Sequence, residues 1–340
     1  MKKKLTGLAV LLIIGLALTS CQSMLRKEAN RLEVLTEGNS ILYAPQYVAL
    51  AKGFFKEQDL EVEMQEIKPD QKPLSLLKAG EPRLVLTSPM ALLTGKETGP
   101  PTVIFAQTVK DTGYYLLARE LKQAFNWIDL KGNSVISGPE DWLPQMILDY
   151  LLRKNNLRPQ WDLTLYQNIP LAMTPGAFKS GTGSFLLVSE PTASQLENQG
   201  LGRLATPLAM GRWELPIGTY LAPRELVTAK PDLLQKFTNG IYLAQLWMAR
   251  HSPKEIAETI HPHLPQLEKA ALEKIIARYK QQGLWTLEPT PRKASFDLLQ
   301  DILISARQMK EKKPFGTLTE TRFASQAVRT VKLEEEKEEK

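Results

Sequence analysis

The stretch Tyr43-Ala-Pro-Gln-Tyr-Val-Ala-Leu-Ala-Lys-Gly-Phe-Phe-Lys-Glu-Gln-Asp-Leu-Glu-Val-Glu-Met64 contains a loop, a helix and a strand in one unbroken run. Pro45 stands where a first helical residue tolerates a missing N–H. Tyr47, Val48, Ala51, Phe54 and Phe55 recur at a helical period, and Gly53 supplies a break. Leu60, Val62 and Met64 then alternate with Glu61, Glu63 and Gln65, the pattern of a half-buried strand. With the apolar strand around Leu32 to Leu35 and the Gly38-Asn39-Ser40 turn before it, this is a β-α-β unit.

The same alternation continues along the chain. Pro73 to Ala79 reads as a short helix closed by Gly80, and Leu84 to Leu86 as a buried strand running into Thr87-Ser88-Pro89, with Ser88 as N-cap. Such a turn offers a hydroxyl and free N–H groups at a strand's carboxyl end, where open α/β sheets take ligands. A strand at Thr102 to Ala106 delivers Gln107 to the same edge, and Tyr114 to Ala118 leads across to a second lobe. There the pattern restarts with a strand at Ser134 to Ser137, the Gly138 turn, and a helix carrying Leu143, Ile147, Tyr150 and Leu151. Leu163 and Leu165 precede Gln167-Asn168-Ile169-Pro170. Phe185 to Val188 runs into Ser189-Glu190-Pro191, a counterpart of Ser88-Pro89. Ile217 to Ala222 is the return crossing, and helices follow over residues 231–250, from the Ser252 to Glu255 capping box, over 266–282 and from Pro291 to about Lys310. Two restarts of alternating strands and helices predict two largely parallel sheets.

The opening unit resembles the first helix of the sulfonate, nitrate, taurine and thiamine-precursor binding proteins of ABC importers. The likeness runs on through Ile128-Asp-Leu-Lys-Gly-Asn-Ser-Val-Ile-Ser-Gly-Pro139 and Phe178-Lys-Ser-Gly181, covering most of residues 31–305. It implies a two-lobed α/β fold of the periplasmic-binding-protein type II class, with the ligand cleft between the lobes. Lobe one is expected over 31–120 plus 218–310, lobe two over 121–217, and a charged, disordered tail over 311–340. The resemblance implies a protein without catalysis or cofactor that captures a small molecule by lobe closure, as a monomer, and hands it to membrane permease subunits. Carried over by position, it puts Tyr43, Gln46, Tyr47, Thr87, Ser88 and Gln107 on the lobe-one lip. Ser137, Gly138, Trp142, Asn168, Ser189 and Glu190 fall on lobe two, with Glu190 as its main polar contact. Trp142 reads equally as ligand-facing or as core.

The chain departs from the family where relatives carry Gly-x-x-Asp before a strand: the stretches here are Gly80-Glu-Pro-Arg83 and Gly181-Thr-Gly-Ser184. The candidate loops hold no arginine or lysine, which a bound sulfonate or nitrate would favour. A flat neutral or amino-bearing ring fits them, as does an oxyanion held by helix N-termini alone.

Lys2, Lys3 and Lys4 precede an apolar run from Leu8 to Leu18, too short to span a membrane but suited to a signal-peptide core. The run ends in Leu18-Thr19-Ser20-Cys21, which resembles a lipobox. Residues 1–21 are therefore read as a lipoprotein signal, Cys21 as the lipidated residue, and 22–30 as a tether on the outer face of a bacterial membrane. Cys21 is the only cysteine, so no disulfide forms within the chain. Removing the three signal lysines takes the formal charge from +6 to +3, and no basic cluster with interleaved aromatics points to nucleic acid. His251, His261 and His263 lack partners at metal-binding spacing, and the glycines of 176–183 lack the Gly-Lys-Ser/Thr ending of a phosphate loop. The competing readings are a structural or chaperone-like lipoprotein and a pyrimidine-synthesis enzyme relative, whose cysteine-rich motif is missing here.

Overall fold

A computed structural model describes residues 30–68, 70–209 and 214–333. The expected signal peptide, Cys21 and the tether up to residue 29 lie outside the described residues. Two five-stranded sheets carry the fold. The first has β1 (Arg31–Thr36), β2 (Glu61–Glu66), β3 (Arg83–Thr87), β4 (Thr102–Val109) and, from far along the chain, β10 (Gly218–Pro223), in the order β2-β1-β3-β10-β4. The second has β5 (Tyr114–Ala118), β6 (Ser134–Ile136), β7 (Thr164–Tyr166), β8 (Phe185–Ser189) and β9 (Arg203–Pro207), in the order β7-β6-β8-β5-β9. In each, four strands run in one direction, and the strand that enters from the other lobe, β10 or β5, lies antiparallel between two neighbours.

Because β5 pairs with β8 and β9, the lobe boundary expected at residue 120 moves back to the crossing at residues 110–113. The edge strand β9 carries no clear alternation and is not apparent in the sequence pattern. Interior strands are apolar on both faces: Leu84 and Leu86 enter one core layer while Val85 enters the other, and Leu186 and Leu187 divide in the same way.

The helices follow the local chemistry. In lobe one they are α1 (Ala44–Ala51), α2 (Phe54–Glu57) and α3 (Met90–Thr94); α1 and α2 are separated by Gly53, whose φ of 78° breaks the helix. Lobe two adds α4 (Leu143–Lys154), α5 (Thr174–Lys179) and α6 (Thr192–Asn198). After β10 come α7 (Arg224–Ala229), α8 (Pro231–Arg250), α9 (Pro253–Ile260), α10 (Lys269–Gln282) and α11 (Lys293–Ser305). Pro231 opens α8, and Leu234, Phe237, Ile241, Ala244 and Met248 are all buried, one stripe packed on the first sheet. Ser252 and Glu255 form the reciprocal capping box at α9, and Gly283, with φ of 71°, ends α10.

The tail departs from expectation. Residues 315–330 form α12 (Phe315–Leu318) and α13 (Arg322–Thr330), and Phe323, Ala324 and Ala327 are buried. Phe323 meets Phe105 edge-on at 6.2 Å, and Glu320 N–H donates to the Ile104 carbonyl, so this segment covers the outer edge of β4. Its apolar residues are few but share one face, and that face buries against lobe one instead of remaining in solvent. Residues 334–340 lie outside the described part.

Candidate functional site

Strand direction fixes where a site lies. The chain leaves lobe one at Val109, the carboxyl end of β4, and enters lobe two at Tyr114, which pairs with Ser189 at the carboxyl end of β8. It returns from Pro207, the carboxyl end of β9, to Gly218, next to Thr219, which pairs with Thr87 at the end of β3. Both crossings therefore join carboxyl edges, and these edges face each other, as expected of an α/β ligand cleft. The crossings also bond to one another: Leu215 N–H donates to the Lys110 carbonyl at 2.9 Å and Leu208 N–H to that of Tyr114 at 2.8 Å.

On the lobe-one lip, Thr87 Oγ donates to an exposed carboxylate, Glu37, at 2.5 Å, and Ser88 Oγ accepts from Met90 N–H at 3.4 Å. Glu37 was not among the residues expected here; its place directly after β1 is the signal that marks it. The tyrosine loop folds inward. Tyr43 is buried, and desolvation, with Glu37 nearby, raises its pKa. Gln46 is fully buried and accepts from the Tyr220 hydroxyl at 2.6 Å. Tyr47 stacks on His263 with ring centroids 5.1 Å apart, and burial pushes its pKa up to about 12. Gln107 lies behind the sheet edge, its carbonyl taking bonds from Gln245 and Thr286. Gln46, Tyr47 and Gln107 are thus buried in lobe one, each within a segment covered on both faces.

Lobe two presents an apolar shelf. Trp142 is half-buried and meets Tyr114 edge-on at 4.9 Å. A Cβ on Gly138 would fall 2.3 Å from the Trp142 ring and 3.1 Å from Leu171, so the glycine lets the indole lie flat on the backbone. Gly138 N–H donates to Gln145, whose Nε2 donates to Asp149 at 2.9 Å; burial pushes the Asp149 carboxyl up to about 6. Asn168 is exposed and Leu171 is 42% exposed on the neighbouring loop.

Glu190 is not a free contact. Its side chain is completely buried, accepts from Ser194 N–H and Oγ at 3.0 Å each, and pairs with Arg278 of α10. The assignment of Glu190 as the main polar contact is corrected accordingly: its oxygens are committed within the protein. Sequence position could not show this, because Arg278 lies far along the chain. Buried polar atoms without a protein partner include Gln46 Nε2, Gln107 Oε1 and Ser137 Oγ. Among the described residues no group of three or more His, Cys, Asp or Glu side chains is placed to hold a metal. No described helix is long and apolar enough to cross a membrane.

Two mixed sheets joined at their carboxyl edges by paired crossings define the two-lobed periplasmic-binding-protein fold. The family model described as NMT1/THI5 like matches residues 41–256, and the chain belongs to that family. A protein of Bacillus subtilis (strain 168), provisionally named binding protein YtlA, is 32% identical over 310 residues, covering 91% of this chain and 92% of its own. Among solved structures, the nitrate-binding protein NrtA of Synechocystis PCC 6803 aligns with a TM-score of 0.69 at 16% identity, over 88% of each chain. The aliphatic sulphonate binding protein SsuA of Escherichia coli aligns at 0.65 and 15%, over 85% of this chain and 97% of that one. The desulfurization enzyme DSZB shares the fold at 0.63 and 15%, over 88% and 99%. Likeness at these identities establishes architecture, and the architecture serves binders and an enzyme alike.

Proposed function

We propose that this protein is the solute-capturing component of an ABC importer, held by a lipid on Cys21 at the outer face of a bacterial membrane, monomeric and without turnover of its own. One observation supports capture by closure above all others: both crossings join the carboxyl edges of the two sheets, so a ligand touching both lips favours the closed form and nothing else is required for a shape signal. The family membership and the binding-protein names among its relatives support the same reading.

The ligand would lie between Glu37, Thr87 and Ser88 on one side and Gly138, Trp142, Asn168 and Ser189 on the other. Loops 37–43, 87–90, 137–142, 167–171 and 189–192 contain carboxylates and no Lys or Arg. That balance favours a flat, amino-bearing ring, such as a pyrimidine, over a sulfonate or nitrate. The ring would stack on the Trp142 shelf while its amino group donates to Glu37.

A thermal-shift panel of sulfonates, nitrate, taurine, pyrimidines and flavins tests this. Ligand at 100 times its Kd stabilises the native state by about 2.7 kcal/mol. A pyrimidine response is expected; a response to sulfonate or nitrate alone overturns the ligand class, and a flat response across the panel favours a structural or chaperone-like lipoprotein. Mass spectrometry of membrane-extracted protein should find a diacylated Cys21 as the first residue, and an intact Met1 would rule out the anchor.

A further inference from the structure

Helix α10 belongs to lobe one by its anchoring. Lys280 Nζ donates to the Met248 carbonyl at 2.8 Å, to that of Ala249 at 3.3 Å and to that of His251, capping α8, and the helix packs along α9. Its opposite side faces lobe two. There Arg278 pairs with Glu190 and, at 2.7 Å, with Glu197, and its Nη1 lies 3.3 Å from Ser194 Oγ, so one guanidinium ties together the turn after β8 and helix α6. Four residues on, Gln282 donates to Asp111 in the crossing at 2.6 Å and accepts from the Tyr115 hydroxyl of β5 at 2.6 Å. Between them Tyr279 packs on the crossing itself, its hydroxyl donating to the Gly113 carbonyl at 3.3 Å.

We infer that Arg278 is a positioning residue that latches the two lobes, reading the lobe angle through its anchor on lobe one and setting the Ser189-Glu190-Pro191 lip of the cleft through Glu190. Three features support it. The Glu190 carboxylate is wholly buried, and a buried carboxylate without a counter-charge is costly, so moving α10 away leaves an unpaired ion and drives the lobes back together. Arg278 itself is about one-third exposed, so the tie sits at a boundary that can open without dismantling a core. A groove of about 370 Å³ runs between α10 and strands β5 and β9, lined by Tyr115, Thr206, Arg278 and Gln282, which gives the helix room to shift along the lobe-two edge. The latch rests on the binding reading above for its purpose, but it is observable without any ligand, so failure of one does not entail failure of the other.

The test places spin labels at exposed Glu57→Cys in lobe one and Lys179→Cys in lobe two, in a full-length Cys21→Ser chain, and measures the inter-lobe distance by pulsed electron resonance. Hydrogen exchange of residues 189–194 and 110–117 is followed in parallel. Arg278→Gln should shift the distances outward, raising the open-to-closed ratio roughly ten- to a hundredfold, the scale of a lost charge-assisted pair. Exchange should rise in both segments. Arg278→Lys, which keeps the charge but loses the two-pronged fork, should fall between wild type and Arg278→Gln. Should Arg278→Gln fail to fold, Arg278→Lys and Glu197→Gln carry the same readout, each expected to give a smaller outward shift. A distance distribution unchanged in the folded variants overturns the latch. So does faster exchange confined to 189–194 with no change in distance, because that is what a merely local packing role produces.

Discussion

The two lobes share a strand order and differ in what they do with it. In lobe one the edge strand β4 is buried along its whole length, covered by the segment at 285–289 and by the C-terminal residues around Thr319 and Phe323; its counterpart β9 has no buried residue. The lips differ too. After β1 comes Glu37, an exposed carboxylate held by Thr87, whereas after β6 comes Ser137-Gly138 under the Trp142 indole. One topology therefore supplies a polar lip fixed to a heavily braced lobe and an apolar lip fixed to a lighter one. A ligand of the proposed kind, stacked on lobe two and charge-paired by lobe one, would engage both halves only on closure.

The bracing gives the largest expected effect. Phe323→Ala removes a buried ring from the lobe-one face and should cost about 3–5 kcal/mol in a urea titration. A loss below about 1 kcal/mol would mean that the tail does not brace the lobe. The crossing between the lobes comes next. Asp111 is buried beside Gln282, Thr112 and Gly113, and desolvation pushes its carboxyl from 3.8 up to about 6. Folded Asp111 holds its proton more tightly than the unfolded chain does. Its contribution to stability is therefore complete below about pH 3.8 and is lost as pH rises through about 6. Between pH 4 and pH 7.5 the wild type should lose about 2–3 kcal/mol more than Asp111→Asn. Parallel curves for the two proteins would contradict this.

The paired glycines sharpen the contrast between lips. Gly138→Ala drives a Cβ into the Trp142 ring and should cost about 1–3 kcal/mol by overpacking. Gly38→Ala meets no atom closer than Glu66 Oε1 at 3.5 Å, and pays mainly for a φ of 84°, about 1 kcal/mol. Equal losses would show that the two lips are packed alike. The smallest effect on stability is expected from Glu37→Gln, within about 1 kcal/mol for an exposed side chain, while any pyrimidine shift seen in the panel should shrink by roughly 1–3 kcal/mol. An unchanged shift would remove Glu37 from the site.

Much of this was legible because local chemistry and tertiary structure agree. The helix at 231–250 and the capping box at Ser252 follow from proline, serine and periodicity alone, whereas the turns after β3 and β8 differ from expectation by a residue: Pro89 and Pro191, not Ser88 and Glu190, stand at the cap, and the helices begin at Met90 and Thr192. The site was read less well. Gln46 and Gln107 stand at the right edge in sequence yet are buried, because the elements that carry them are covered on both faces: residues 44–49 and all of β4 are buried. Glu190 looked free because its partner Arg278 is eighty-eight positions away, a pairing that no local pattern encodes. The tail looked disordered because charge dominates its composition, while Phe323, Ala324 and Ala327 share a face that only the finished sheet can cover.

The place of β10 in the middle of the first sheet has a consequence for biogenesis. Lobe two is made from one continuous stretch, residues 114–207, and its sheet can form as soon as that stretch is available. Lobe one cannot: β3 and β4 have no strand between them until residues 218–223 arrive, and the outer edge of β4 is covered only when residues 285–289 and then those near 319 follow. A chain emerging from its N-terminus thus completes its second lobe before its first, and until residues 218–223 arrive it carries β4 unpaired and β3 paired on one edge only, through β1. Open strand edges of that kind are the segments most prone to wrong pairing in a nascent chain.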